Sequence, residues 1–196
     1  MSEDPGRVLI RTAVPEGFHL LSESGNVTEI ARLVASWAIP RQAADRLTQA
    51  LRVVSEISPS EDGRTVWALV RLPQSGRVDA LLTLDVHVVN ASESIDSLEH
   101  ELKRQAASRG SDIAGRTSER RSTPLGEALL VHDLEFAPAR GGSPRTATER
   151  AFVALFVGSS LLLSYRLLTQ DLAAFDNLPG YLADLVSLTS LEGVVA

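Results

Sequence analysis

Cysteine is absent from this chain of 196 residues, and lysine occurs once, at Lys103, against eighteen arginines. Without thiols the chain forms neither disulfide bonds nor a thiolate metal site. No glycine-rich loop precedes Lys103, and the sequence contains no G-x-G-x-x-G motif, so nothing indicates a nucleotide site. The preference for Arg over Lys is typical of a GC-rich bacterial genome, and we expect a bacterial source.

The chain also lacks an excess of basic charge. The formal net charge is -6, and both signs are spread along most of the chain. A surface that binds nucleic acid carries a basic patch for the phosphate backbone, so we do not expect nucleic acid as a partner. The first ten residues lack the basic and apolar regions of a signal peptide, which predicts a cytoplasmic protein.

Long hydrophobic runs are missing as well. The longest uncharged stretch, Ala151 to Tyr165, would span about 22 Å as a helix, short of a bilayer core of about 30 Å. Gly158-Ser159-Ser160 instead divides it into two runs rich in strand-forming residues. We therefore predict a β-hairpin at the centre of a sheet and no membrane span.

The first third of the chain is predicted to be helical after a short extended start at residues 8–10 and 17–21. Asn26 and Glu29 form a capping box, which marks the start of a helix. Its apolar stripe recurs at helical spacing and ends before Pro40; the stripe consists of Ile30, Leu33, Val34 and Trp37. A second helix is predicted over 40–57, so the two form a helical hairpin.

The rest of the chain is predicted to consist mainly of strands, with two helices. Patterns of period two and of period 3.6 predict, in order, strands over 65–72 and 78–90, a helix over 94–109, a strand over 128–136, the central hairpin, and a leucine-rich helix over 177–191. Residues 116–123 are polar on both faces and fit only an edge strand or a loop.

This order predicts the α+β class. Strands joined by hairpins, without a repeated strand-helix-strand rhythm, favour an antiparallel sheet of five to seven strands covered by helices, with an N-terminal helical hairpin. At this length we expect one domain over 1–196. The helical segment 26–57 is either packed on that domain or appended to it.

Several segments carry a resemblance to a known group of proteins. They are the meander strands 128–136, 149–153 and 161–166, the glycine-rich loop between the first two, and the closing helix. Val14-Pro15-Glu16-Gly17-Phe18 is similar to a short "P-x-G-F" start. Together they resemble the superfamily of photosystem PsbP and the Ran-binding Mog protein. The resemblance implies a non-enzymatic binding, adaptor or chaperone-like role, with contacts made by the sheet and its loops.

Asp85 and His87 are the strongest candidates for a polar site. They lie at i and i+2 on a predicted strand and point to one face, where a carboxylate and an imidazole can share a metal ion or a proton. His132, on another predicted strand, could supply a further group. Isolated His and Asp residues on an exposed strand are common, so a solvated sheet face is the favoured interpretation. The spacing identifies no third metal ligand, and we predict no metal site and no cofactor.

Trp67 and an arginine-bearing loop are the other candidates for binding. Trp67 lies on the less apolar face of its strand, where it is either covered by a helix, the favoured interpretation, or exposed as an anchor for a partner. Arg140 and Arg145 could hold an anion, although a solvated connection is favoured there. Gly158-Ser159-Ser160 lacks the G-x-S-x-G elbow of serine hydrolases and fits a turn better.

Two function hypotheses follow. The first is a non-enzymatic soluble binding, adaptor or chaperone-like protein, which acts on a protein partner or by self-association. It rests on the absence of a catalytic constellation and on the apolar chain after Arg150, which carries four acidic residues and one Arg. The second is a small-ligand or metal-dependent enzyme or carrier with a pocket between sheet and helices, in which Asp85, His87 and His132 supply the polar groups.

Overall fold

The computed structural model describes residues 9–21, 27–57, 64–90, 93–108, 113–136, 146–158 and 160–192. These ranges contain nine strands and four α-helices. In chain order the elements are β1 Leu9–Arg11, β2 Phe18–Leu21, α1 Val27–Ser36, α2 Arg41–Ile57, β3 Arg64–Leu69, β4 Ala80–Val88, α3 Ile95–Ser108, β5 Ile113–Thr123, β6 Gly126–Phe136, β7 Ala147–Val157, β8 Leu161–Thr169, α4 Leu178–Ser187 and β9 Ser190–Glu192.

Seven of the strands form one antiparallel sheet in the order β2-β3-β4-β8-β7-β6-β5, so the predicted α+β class is confirmed. The predicted hairpin is β7 and β8, and β8 is the middle strand of the sheet. Gly158 begins its turn with φ 60°, a left-handed conformation that glycine adopts without steric cost. The uncharged run of the sequence therefore lies in the centre of the sheet.

One face of the sheet, which we call the α4 face, carries the main core. Side chains from β4, β6, β7 and β8 pack there against α4, whose own Leu178, Leu182 and Leu185 are almost completely buried. The two-stranded ribbon of β1 and β9 contributes to the same core through Ile10 and Leu191. Burying this many apolar side chains is the main source of stability for the fold.

The hydroxyl of Tyr165 connects this ribbon to the middle of the sheet. Its oxygen lies 3.0 Å from the Thr12 hydroxyl and 2.8 Å from the Thr189 hydroxyl, and the tyrosine is fully buried. Burial raises the pKa of Tyr165, and the two hydrogen bonds oppose that rise. The hydroxyl thus remains neutral and hydrogen-bonded, as a buried phenol must.

The opposite face, which we call the α1–α3 face, is covered at both ends. At one end α1 and α2 pack over β2 and β3 through a cluster that includes Leu47, Leu51 and Ala68. At the other end α3 packs over β6 and β7, where Ile95 contacts a cluster containing Leu129 and Val131. The central strands β4 and β8 lie between these two layers.

The C-terminal helix is shorter than its apolar pattern predicts. The prediction extends the helix to Leu191, but α4 ends at Ser187, and residues 190–192 pair with β1 instead. Leu188 is 59% exposed, whereas Leu191 packs into the main core. The prediction was wrong because a three-residue strand is too short to show a period of its own.

The sequence predicts an edge strand or a loop over 116–123, and the structure places these residues in the edge strand β5. The strand is longer than the pattern indicated and begins at Ile113. A register shift interrupts its pairing with β6 between Ala114 and Arg116. Within the described residues, no helix is long and apolar enough to cross a membrane.

Candidate functional site

The residues predicted to form a polar site lie on opposite faces of the sheet. Asp85 is opposite Ser164 on β8, and this row of side chains belongs to the α1–α3 face. His132 is opposite Ala151 on β7, which belongs to the core on the α4 face. The sheet therefore separates His132 from Asp85 and His87, and no single pocket can contain all three.

Asp85 is buried, which corrects the interpretation of its strand face as solvated. The carboxylate is almost fully buried and its Oδ1 accepts a hydrogen bond from Nε of Arg64 on the neighbouring strand. Its Oδ2 accepts no hydrogen bond, and a guanidinium nitrogen of Arg166 lies 3.9 Å from it. His87, two residues further along β4, is exposed as expected. Two guanidinium groups beside one carboxylate disfavour a metal cation there.

Trp67 is half-buried and packs against the main core on the α4 face. Its cross-strand neighbours are Leu82, which is fully buried, and Leu20, which is 61% exposed. The ring thus lies at the margin of the core. Arg140 and Arg145, the predicted anion-binding pair, lie outside the described residues.

A groove runs along α4 on the side of β5 and β6. Two cavities of about 160 and 250 Å³ share Arg121 and Leu130 and lie end to end beneath the helix. The first has an apolar floor of Ala128, Leu130 and Val153. The groove exists because α4 lies over β6, β7 and β8 and leaves the edge strand β5 beside it.

Polar groups line the walls of the groove. At the end near the start of α4, His132 Nε2 lies 2.9 Å from Glu149 Oε1. On β5, Glu119 and Arg121 form an exposed ion pair with each other. Asn177 caps α4 by accepting a hydrogen bond from the backbone N–H of Gly180 at 3.0 Å. Ligand sites commonly combine an apolar floor with a few polar groups in this way.

Sequence reasoning singled out His132 but missed the groove. A signal was present in β5, whose side chains are polar on both faces, because a strand buried under a helix would be apolar on one of them. Finding the groove also requires knowing that α4 stops short of β5. That follows from packing and not from the pattern of any one segment.

A second polar region, which we call the polar strip, consists of Thr83, Asp85, Ser164 and Arg166. These residues face the α1–α3 side from the central strands, in two adjacent cross-strand pairs, Thr83 with Arg166 and Asp85 with Ser164. The Arg166 guanidinium lies over the ring of Phe152, 5.9 Å from its centroid. The strip thus brings a buried carboxylate and a half-exposed cation together in the middle of the sheet.

A third polar region is an ionic cluster centred on the buried Asp133 of β6. One carboxylate oxygen accepts hydrogen bonds from Arg116 at 2.6 and 3.1 Å, and the other accepts one from Arg150 at 2.6 Å. Burial alone raises the pKa of Asp133, but the hydrogen bonds and charges of the two arginines outweigh this and hold it below its ordinary value. Arg116 also donates to the backbone carbonyl of Leu102 at 3.2 Å, so the cluster anchors α3.

Among the described residues, no cluster of three or more His, Asp or Glu side chains could hold a metal ion. Of the histidines predicted to belong to a polar site, His132 lies beside a carboxylate, that of Glu149. Two groups alone do not complete a metal site, which needs at least three protein ligands. They can still exchange a proton or orient a ligand.

The sequence matches no known family. No curated protein matches it either. Among solved structures, it is similar to LpqN, a protein involved in cell envelope biogenesis of Mycobacterium tuberculosis, with 11% identity and a TM-score of 0.42 over 96% of this chain and 86% of that one. It is also similar to a protein from Bacteroides thetaiotaomicron, with 9% identity and a TM-score of 0.42 over 68% of this chain. The match spans only 40% of that protein. Neither likeness assigns a function.

Proposed function

We propose that this chain is a non-enzymatic binding protein that holds a short extended segment of a protein partner in the groove between α4 and strands β5 and β6. The observation that carries the proposal is the groove itself. Its floor is made of the core side chains Ala128, Leu130 and Val153, which line the first cavity and keep only 3%, 4% and 2% of their surface exposed. An apolar floor with a polar rim is typical of a binding site.

The dimensions of the groove favour an extended peptide. It follows α4, which has 10 residues and is therefore about 15 Å long. At about 3.3 Å per residue, an extended segment of four to five residues spans that length. Alternate side chains of such a segment point toward the floor, so two or three apolar side chains can be buried there.

The charges around the groove favour a partner with basic residues. Arg121 is already paired with Glu119, and Glu149 with His132. The carboxylate of Asp184, on the exposed side of α4, lies at the rim. A Lys or Arg that follows the apolar residues of the partner would meet this carboxylate. Such complementarity at the rim guides association more than it adds affinity.

The resemblance to the PsbP and Mog-type superfamily supports the same kind of function. We include membership of that superfamily in the proposal, on the basis of the meander from β5 to β8 followed by α4. The resemblance implies that the sheet and its loops make the contacts. A bacterial source and a cytoplasmic location are part of the proposal as well, on the composition of the sequence.

A displayed library of random peptides tests this proposal. Selected peptides are titrated into ¹⁵N-labelled protein, and we expect amide shifts confined to α4, β5 and β6. Ala183→Trp places an indole in the groove and should weaken binding at least about tenfold. Val53→Trp, on the exposed side of α2, is the matched control and should bind as the wild type does.

Two results would contradict the proposal. One is a library from which no peptide is enriched. The other is a set of peptides that bind Ala183→Trp as tightly as the wild type, because those peptides occupy another surface.

The second candidate function is an enzyme or small-ligand carrier, and the His132–Glu149 pair favours it. This pair offers a proton donor and a proton acceptor 2.9 Å apart at the end of the groove. Its test is a thermal-shift screen of metabolites and metal ions with the wild type and with His132→Gln. A ligand that stabilises only the wild type would favour this function over peptide binding.

A further inference from the structure

We infer that the polar strip on the α1–α3 face is a second binding site, which takes a small tetrahedral oxyanion that retains an O–H group, as hydrogenphosphate does. The inference is independent of the groove, which lies on the other face of the sheet. It rests on the position of Asp85, Ser164 and Arg166 in the fold, and on the hydrogen-bonding capacity that Asp85 and Arg166 leave unused.

The position of the strip is unusual for the fold. Strands β4 and β8 are central, and their other face is filled by Leu82, Leu163 and Leu167. Side chains in the middle of a sheet that is covered by helices at both ends are expected to be apolar. Replacing a buried ion pair with apolar residues is commonly neutral or stabilising. Packing therefore does not require Asp85 and Ser164 at positions that are 3% exposed each.

Asp85 leaves an acceptor unused. Its Oδ1 is bound to Arg64, but its Oδ2 is buried without any hydrogen bond. A buried acceptor without a donor destabilises the folded state. A ligand that brings an O–H group to Oδ2 removes that cost.

Arg166 leaves donors unused on the same side. Its guanidinium is 3.9 Å from Asp85 Oδ2, beyond hydrogen-bond distance, and its side chain is 51% exposed. The guanidinium also lies over the Phe152 ring, 5.9 Å from its centroid, a contact that does not require its N–H groups as hydrogen-bond donors. Because the side chain is half-exposed, it can swing outward and admit a ligand above Asp85.

Charge identifies the class of ligand. Asp85 already has Arg64 as an ion-pair partner, so the guanidinium of Arg166, 3.9 Å from Oδ2, adds a positive charge to the strip. An anion is therefore attracted, yet it must also donate a hydrogen bond to a carboxylate. Hydrogenphosphate satisfies both demands, since its oxygens accept from Arg166 and its O–H donates to Asp85. Sulfate is the same shape and is also an anion, but at neutral pH it has no proton to donate.

Titration calorimetry with inorganic phosphate and with sulfate at equal ionic strength tests the inference. We expect saturable phosphate binding by the full chain and at least about tenfold weaker binding of sulfate, because the buried carboxylate repels an anion without a donor. Equal binding of both anions would mean non-specific attraction to arginine and would overturn the inference. So would the absence of phosphate binding.

Three variants locate the site. Arg166→Gln should weaken phosphate binding about tenfold or more, as expected for loss of a charge-assisted hydrogen bond. Arg104→Gln removes an exposed arginine of α3 outside the strip and should leave phosphate binding unchanged. Asp85→Asn supplies an amide donor in place of the carboxylate, so the preference for phosphate over sulfate should disappear. Circular dichroism checks that each variant is folded.

The result for Arg166→Gln stands even if Asp85→Asn fails to fold, because Arg166 is half-exposed. Undiminished phosphate binding by folded Arg166→Gln would place the anion elsewhere and overturn the inference. The same conclusion would follow if a folded Asp85→Asn kept its full preference for phosphate.

Discussion

At the scale of single residues, Asp133 is a buried carboxylate with two charged partners. Arg116 and Arg150 both donate to it, and Arg150 also pairs with Glu135. The cluster lies partly buried between α3 and the outer strands. Its value to the fold depends on the carboxylate, because without it two guanidinium groups face each other.

Replacing this carboxylate should cost substantial stability. We expect Asp133→Asn to reduce the free energy of unfolding by about 3 kcal/mol, the lower range for a buried ion pair that loses one partner. Urea unfolding measures the change. Glu119→Gln, which breaks the exposed pair with Arg121, is the control and should cost less than about 1 kcal/mol. Equal losses in the two variants would contradict the assigned role of Asp133.

Two glycines at turns offer a matched pair of substitutions. Gly126 has φ 148°, and a Cβ there would lie 2.2 Å from the backbone carbonyl oxygen of Phe156. Gly158 has φ 60°, and a Cβ there would meet nothing within 4 Å. We expect Gly158→Ala to cost about 1 kcal/mol for its left-handed conformation. Gly126→Ala should cost more than about 3 kcal/mol, because strain and a clash with backbone add up.

Thermal and urea unfolding of both variants check this ranking. A Gly126→Ala protein as stable as Gly158→Ala would show that the β5–β6 turn can move away from β7. In that case the wall of the groove at Thr123 and Pro124 would be adaptable.

The burial and partners of single residues were harder to predict than the strands, because they depend on other parts of the chain. The spacing of Asp85 and His87 correctly places both side chains on one face of β4. Whether that face is buried depends on Arg64 of the preceding strand and on Arg166 of β8, which is far away in the chain. The relation of His132 to Asp85 depends on the register of four strands, and no local pattern contains it.

At the scale of elements, α3 is held to the sheet by arginines as much as by apolar contacts. Arg120 of β5 donates to Asp96 at 2.5 Å and to Glu99 at 2.7 Å. Hydrogen bonds to these two carboxylates are the main cause that raises the pKa of Arg120. Arg116 adds its bond to the Leu102 carbonyl. The attachment of α3 therefore depends on ionic strength.

Weakening this attachment should loosen α3 selectively. We expect Arg120→Gln to speed amide hydrogen exchange in α3 severalfold while exchange in β7 and β8 stays unchanged. High salt should have a similar, smaller effect on the wild type. Arg104→Gln, which removes a pair within α3 itself, is the control. Uniform acceleration throughout the sheet would mean that α3 opens only with the whole fold.

Most elements could be predicted because their patterns are local. Capping by Ser94 and Asn177 marks α3 and α4, and Ser94 Oγ accepts from the N–H of Ser97 at 3.3 Å as a cap should. The capping box at Asn26 lies outside the described residues, but α1 begins at Val27. The strand β9 could not be predicted, because its only partner is β1, at the other end of the described chain.

At the scale of the whole molecule, two titrating groups lower stability in acid. His19 lies edge-on to Trp37, with ring centroids 5.0 Å apart, and burial lowers the pKa of His19 from its ordinary 6.5. The folded chain then binds a proton at His19 less readily than the unfolded chain. Stability therefore falls as the pH decreases below about 6.5.

Protonation of Asp133 causes a second loss of stability, at lower pH. Its pKa is lowered from 3.8 in the folded state, so the unfolded chain takes up its proton first, and stability is lost as the pH falls below that value. Urea unfolding over a series of acidic pH values should show both decreases. We expect His19→Gln to remove the loss of stability below about pH 6.5 and to leave the loss that Asp133 causes at lower pH. A wild-type stability that rises on acidification would contradict both assignments.

The pairing of β1 with β9 bears on how the chain folds during synthesis. Residues 9–11 are synthesised before the strands of the seven-stranded sheet, but their partners at 190–192 are made about 10 to 40 s later at ordinary rates of translation. All seven strands of the sheet are synthesised before residue 190, and the Tyr165 hydroxyl has both of its hydrogen bonds, to Thr12 and Thr189, only once the segments beside β1 and β9 are in place. The strand β1 is thus synthesised before the sheet but completes its pairing after it, and a protease can reach it in the nascent chain during that interval.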